Sequence, residues 1–184
     1  MYADGRGVAQ DYYRASKFFR ISCDGGNAAA CFNLGIAYRD GKGVEQNIFR
    51  ALKLFTQSCD SSDAEACFIL GLYEEEKEVT ADYSRAASFY EKACELAHTS
   101  ACYELGQLYY EGKGVEQNYP RAVELYEKAC DNGVIAACAL LGLAYEEGNG
   151  VEKDAKRALD WYKKACDAGN EKACEFRKTL LLSL

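Results

Sequence analysis

Apolar and polar positions along this chain repeat in two registers at once. At helical spacing, Leu34, Gly35 and Tyr38 share one face, as do Leu105, Gly106 and Tyr109, and Leu141, Gly142 and Tyr145. The same set recurs at a long period. The first cysteine of each pair falls at 23, 59, 94, 130 and 166, and Gly-x-Gly-Val turns begin at Gly5, Gly41, Gly112 and Gly148 in the same phase. Self-similarity at 35 to 36 residues means stacked supersecondary units. In the one unit without the turn, "EEEKEV" (Glu74 to Val79) has no glycine and is one residue shorter, which accounts for the single step of 35.

Each unit predicts two helices. The first starts at the second cysteine and ends at the Gly-x-Gly pair, where glycine takes a left-handed cap without a Cβ penalty. Asp11, Asn47, Asp82, Asn118 or Asp154 then caps a second helix, and Pro120 falls in a first turn, where proline is tolerated. An Arg-Ala pair follows in every copy, from Arg14-Ala15 to Arg157-Ala158. Its alanine, with the glycine of the first helix, is expected to let helix backbones approach. Phe18, Phe19, Leu54, Phe55, Tyr90, Tyr126, Trp161 and Tyr162 lie at helical spacing and read as core. The pattern therefore predicts an all-α array, one repeat domain over residues 1–184. Its units are about 1–27 (partial), 28–63, 64–98, 99–134, 135–170 and 171–184, the last a partial unit or capping helix. Tyr2 occupies the slot of Tyr38, so most of a first helix and any export signal are expected ahead of Met1.

All ten cysteines belong to pairs eight residues apart: Cys23 and Cys31, Cys59 and Cys67, Cys94 and Cys102, Cys130 and Cys138, Cys166 and Cys174. On one continuous helix each pair would stand about 12 Å apart, too far to bond. Segments such as Asp24-Gly25-Gly26-Asn27 break the helix and reverse the chain, which brings adjacent cysteines together across a helical hairpin. Zinc is the main rival, but structural zinc sites prefer spacings of two to four residues, often with histidine. The chain has one histidine, His98, expected as a solvated turn residue. Catalytic thiol exchange would need an exposed, low-pKa cysteine, whereas every cysteine here holds a regular structural slot. Five disulfides are the better reading, and they imply an oxidising compartment. No metal or cofactor is expected.

At 184 residues and 49% hydrophobic the chain can bury a substantial core. With 29 acidic against 22 basic residues it carries a net charge of −7, a poor match for nucleic acid or an anionic membrane surface. It contains no apolar run of membrane-spanning length. The acidic run replacing the glycine turn reads as a solvated face or as an altered rim where a basic partner docks.

The pattern A-C-x-x-L-G-x-x-Y-x-x-G-x-G-V-x-x-[DN]-x-x-R-A resembles the Sel-one-like repeat, a relative of the tetratricopeptide repeat. The cysteine pair in each unit is similar to the Helicobacter cysteine-rich protein family. The resemblance covers Tyr2 to about Ala173 and implies a right-handed superhelix of disulfide-stapled helix pairs with a secreted or periplasmic life. It also implies penicillin binding with slow β-lactam hydrolysis, hence a β-lactam or peptidoglycan fragment as ligand, or interaction with host cells. The serine β-lactamase motifs are not present: S-x-x-K does not occur, Ser62-Asp63 runs into Ala64, and Lys178-Thr179 runs into Leu180. A protein or peptide ligand on the concave face fits better. The groove is expected at the offsets that vary between copies, Asn33 and Ile36, Ile69 and Leu72, Glu104 and Gln107, Leu140 and Leu143. The apolar members of that set could equally pack against a neighbouring helix.

Overall fold

A computed structural model describes residues 10–76 and 81–183. The described residues form ten helices and no strand: α1 (Tyr12–Asp24), α2 (Ala28–Asp40), α3 (Ile48–Asp60), α4 (Ala64–Glu75), α5 (Tyr83–Glu95), α6 (Thr99–Glu111), α7 (Tyr119–Asp131), α8 (Ile135–Glu147), α9 (Ala155–Asp167) and α10 (Glu171–Ser183). Each helix packs chiefly on its chain neighbours, giving a linear stack whose main core runs from Leu34 to Leu180, with a smaller cluster of Cys23, Ala30 and Cys31 between α1 and α2. The Gly5 turn and residues 77–80 of the acidic run lie outside the described residues.

All five even-numbered helices begin three residues before their second cysteine, earlier than the pattern suggests. Asn27, Asp63 and Asn170 explain the shift, because each side chain accepts a backbone N–H of the first turn. The caps of the odd-numbered helices stand where the pattern puts them: the side chains of Asp11, Asn47, Asp82, Asn118 and Asp154 each accept the N–H of the arginine three residues on. Gly41, Gly112 and Gly148 end α2, α6 and α8 in the left-handed conformation.

The helical glycines do something other than bring two backbones together. A Cβ on Gly35 would stand 2.6 Å from the Phe55 ring, and one on Gly106 would stand 2.7 Å from the Tyr126 ring. Gly71 and Gly142 meet Tyr90 and Tyr162 in the same way. Each glycine is thus a notch for the large aromatic ring of the following helix, and those four rings are almost fully buried. The second glycine of each turn makes the backbone approach instead. Gly43 lies against the Tyr12–Tyr13 backbone, Gly114 against Tyr83–Ser84 and Gly150 against Tyr119–Pro120, so each turn locks onto the preceding unit.

Five disulfides join Cys23–Cys31, Cys59–Cys67, Cys94–Cys102, Cys130–Cys138 and Cys166–Cys174, with Cα atoms 4.6 to 5.0 Å apart, and no cysteine is free. Two kinds of interface alternate along the stack. Helices joined by the glycine turn, such as α2 and α3, pack the more extensively, and the disulfides cross the thinner interfaces, such as α3 with α4. Covalent bonds thus reinforce the junctions that packing supports least.

Candidate binding groove

Seven of the eight groove residues are partly buried and Asn33 is exposed. Asn33 and Ile36 line a cleft of about 240 Å³ between α1 and α2, with Tyr12, Ala15, Ser16 and Phe19 on the opposite wall. Ile69 and Leu72 line a second cleft of about 200 Å³ between α3 and α4, opposite Ile48, Leu52 and Phe55. Leu140 and Leu143 lie on α8 in neither of these clefts. Ile36, Ile69, Leu72 and Leu140 also touch the core, so these side chains both support the stack and line its surface.

The odd-helix walls of the clefts were not among the expected residues. A signal for them exists in the sequence: the first helical residue (Tyr12, Ile48, Tyr83, Tyr119, Ala155) and the one a turn later (Ser16, Leu52, Ala87, Val123, Leu159) also vary between copies. Comparing only the even helices overlooks them.

Glu104 and Gln107 give the groove a polar stretch. Gln107 donates from Nε2 to the Tyr103 hydroxyl at 3.1 Å. Burial, and secondarily the charge of Glu75 on α4, push the Glu104 carboxyl above the usual carboxylate range. Glu75 is held in turn by the Tyr90 hydroxyl, which donates to it at 2.7 Å, and Tyr162 donates to Glu146 at 2.6 Å. Burial first and the carboxylate partner second drive both hydroxyls well above the ordinary tyrosine range, so they act as fixed donors.

The acidic run is mostly structural. Glu74 occupies the slot of Tyr38, Tyr109 and Tyr145, is 5% exposed, and pairs with Arg85 at 3.0 Å. In two regular units the arginine of the Arg-Ala pair reaches the tyrosine hydroxyl, Arg50 at Tyr38 (3.4 Å) and Arg157 at Tyr145 (3.3 Å), whereas Arg121 donates to Glu124 at 2.9 Å. A carboxylate therefore replaces a phenol against the same guanidinium. Of the described glutamates in this run, only Glu76 is exposed, which corrects the expectation of a solvated acidic face.

His98 is not a solvated turn residue either. Its Nδ1 accepts the Ala101 N–H at 3.2 Å as the N-cap of α6, its Nε2 lies 3.1 Å from Glu65, and its ring stacks on Phe68. The imidazole fills the capping slot that Asn27 and Asp63 fill in other hairpins. Among the described residues no group of three or more ligating side chains could hold a metal ion.

The fold defines a right-handed α/α solenoid whose hairpins are closed by disulfides. The chain belongs to the Sel1 repeat family, whose model matches residues 1–27, 28–63, 64–98, 99–134 and 135–170. Among solved structures it is similar to a Sel1 repeat protein from Oxalobacter formigenes, with 34% identity, TM-score 0.77, and coverage of 94% of this chain and 71% of the other. It is similar also to c5321, a protective antigen of uropathogenic Escherichia coli with an SLR fold (29% identity, TM-score 0.85), where it spans 94% of its own length but 37% of that chain. Helicobacter pylori cysteine rich protein B matches at 29% identity and TM-score 0.55 over 71% of this chain and 95% of its own. No curated protein matches the sequence. Sel1 repeats are protein-interaction scaffolds, and no described helix is long and apolar enough to cross a membrane.

Proposed function

We propose that this protein is an exported scaffold that binds a protein segment or peptide along the even-numbered helices. The observation that carries this reading is the pair of clefts between α1 and α2 and between α3 and α4, each walled by side chains that vary between units over an invariant packing frame. An extended segment would seat alternate side chains in successive clefts while its backbone meets polar groups between them. Five disulfides with no free thiol support life in an oxidising compartment. The β-lactam reading draws no support from the site. The buried serines serve packing: Ser58 Oγ donates to the Ala28 carbonyl at 2.7 Å, and Ser16 Oγ donates to the carbonyl of Tyr13 at 2.9 Å.

Selection of a random peptide library displayed on phage, using the oxidised protein as bait, tests the groove. Enriched peptides should lose binding to Leu72→Lys and keep it with Lys53→Glu, a change at an exposed position outside both clefts. Enrichment indifferent to Leu72→Lys, or no enrichment, would overturn the reading.

A further inference from the structure

The arginine of the Arg-Ala pair is a cation that each unit has to balance. Arg14 lies 3.2 Å from Asp11 and Arg85 lies 3.0 Å from Glu74. Arg121 lies 2.9 Å from Glu124 and 3.9 Å from Glu91, and Arg157 lies 3.6 Å from Asp154. Arg50 differs: among the described residues no carboxylate pairs with it, and the N-cap of its helix is the neutral Asn47. Its guanidinium instead lies over the Tyr38 ring, 5.5 Å from the centroid, with Nη1 3.4 Å from the Tyr38 hydroxyl.

A second guanidinium meets the same oxygen. Arg20 on α1 donates from Nη2 to the Tyr38 hydroxyl at 2.7 Å, and it too has no carboxylate partner among the described residues. Arg20 stands three residues before the first cysteine of its pair, where the other units carry Thr56, Glu91, Glu127 and Lys163. Glu91 shows what an acid does in that slot, since it pairs from α5 with Arg121 on α7. In the first unit a base replaces the acid, so α1 and α3 bring two cations to one neutral oxygen. Tyr38 is buried, which fixes that oxygen, while both arginines are exposed. Accepting from both, the hydroxyl keeps its own hydrogen to donate, and no acceptor for it is present among the described residues.

We infer that Arg20, Tyr38 and Arg50 form a binding site for a carboxylate, supplied by an acidic residue of a polypeptide or by a free organic acid. Two like charges held at one oxygen repel, and an anion shared between them relieves both, with each planar guanidinium matching the two oxygens of a carboxylate. A carboxylate is also what the neighbouring units supply to the same arginine, from Glu74 or Glu91. The net charge of −7 offers an anion no long-range attraction, so recognition rests on these three groups. Neither arginine lines either cleft, and the inference stands independently of the groove reading.

Titration of the isotope-labelled, oxidised protein with acetate and with inorganic phosphate, read by NMR at the arginine Nε–Hε resonances, tests the site. Acetate should shift Arg20 and Arg50 saturably and leave Arg157 in place. Affinity should fall roughly tenfold in Arg20→Gln and vanish in Arg20→Glu, which supplies the carboxylate internally. Both changes fall at an exposed position, and an unchanged Tm confirms the fold. Two phage-displayed peptide libraries, one with a fixed central glutamate and one with glutamine, separate the sources. Enrichment of the glutamate library alone, lost on Arg20→Glu, identifies a polypeptide; saturable acetate binding without it identifies a free organic acid. Shifts that never saturate, that appear equally at Arg157 or that persist in Arg20→Glu would overturn the site. Phosphate bound at least about tenfold more tightly than acetate would overturn its assignment to carboxylates.

Discussion

The unit spanning α4 and α5 and the region from α6 to α9 are built on one pattern, but they keep different parts of it. In α6 to α9 every element is present: glycine notches at Gly106 and Gly142, a locking turn at Gly150, and Tyr145 held by Arg157. The α4–α5 unit loses the glycine turn, exchanges tyrosine for Glu74, and is bounded by hairpins whose left-handed residues are Ser62 and Ala97 in place of Gly26, Gly133 and Gly169. Yet Gly71 still receives Tyr90, and the Asp82 N–H still donates to the Glu74 carbonyl at 3.0 Å, as the Asp154 N–H does to Tyr145 at 2.9 Å. The hydrogen bond across the shortened turn is thus kept. Notch, cap and staple are therefore what the solenoid requires, and turn glycines are what it can exchange.

The sharpest test of that equivalence is a methyl group in the notch. Gly142→Ala and Gly71→Ala would each press a Cβ into a fully buried tyrosine ring, at a cost of about 3 kcal/mol by urea unfolding. A much smaller loss at Gly71 would show the departing unit to be loosely packed. Replacing Cys130 and Cys138, or Cys59 and Cys67, by serine should cost about 2.5 kcal/mol in either region, since each bond closes a loop of the same length. Thermal unfolding of the two double variants reads whether the staple matters more beside the altered turn.

Glu74→Ala should cost about 1–2 kcal/mol, because the buried carboxylate is lost while Arg85, largely exposed, regains water. Tyr145→Phe removes one hydroxyl contact and should cost less, so an inverted order would break the proposed equivalence of Glu74 and tyrosine. Ala97→Gly relieves a left-handed alanine at φ 64° and should stabilise by about 0.5–1 kcal/mol. The same exchange has no counterpart to correct at Gly133.

The smallest effect depends on pH. The folded Glu104 carboxyl holds its proton more tightly than the unfolded one, so its ionisation reduces stability at neutral pH but not below the ordinary carboxylate range. Glu104→Gln should raise Tm slightly at pH 7, with the gain disappearing as pH falls through 4.5 and below. A gain that persists in acid would place the effect elsewhere than in charge.

Much of the fold was legible because it depends on spacing. The helix pairs, the caps at Asp11 to Asp154, the left-handed glycines and the cysteine pairs all follow from residue types at fixed offsets along one or two turns of helix. His98 and the acidic run were misjudged for a common reason. Both look exposed when only their sequence neighbours are considered, and both are engaged by groups far along the chain: Glu65 and Phe68 for His98, Arg85 for Glu74. Half of each cleft was also missed, since its second wall comes from an odd helix.

The sequence by itself determined the unit, its two helices and its covalent staples, because local backbone geometry and a reversal of the chain within each cysteine pair leave few alternatives. Only the tertiary structure decided what the notch glycines receive, that the disulfides cross the thinner interfaces, and that Glu104 stands partly desolvated beside Glu75. Those facts depend on how neighbouring helices stack, and burial and charge proximity belong to the assembled stack, not to any one helix.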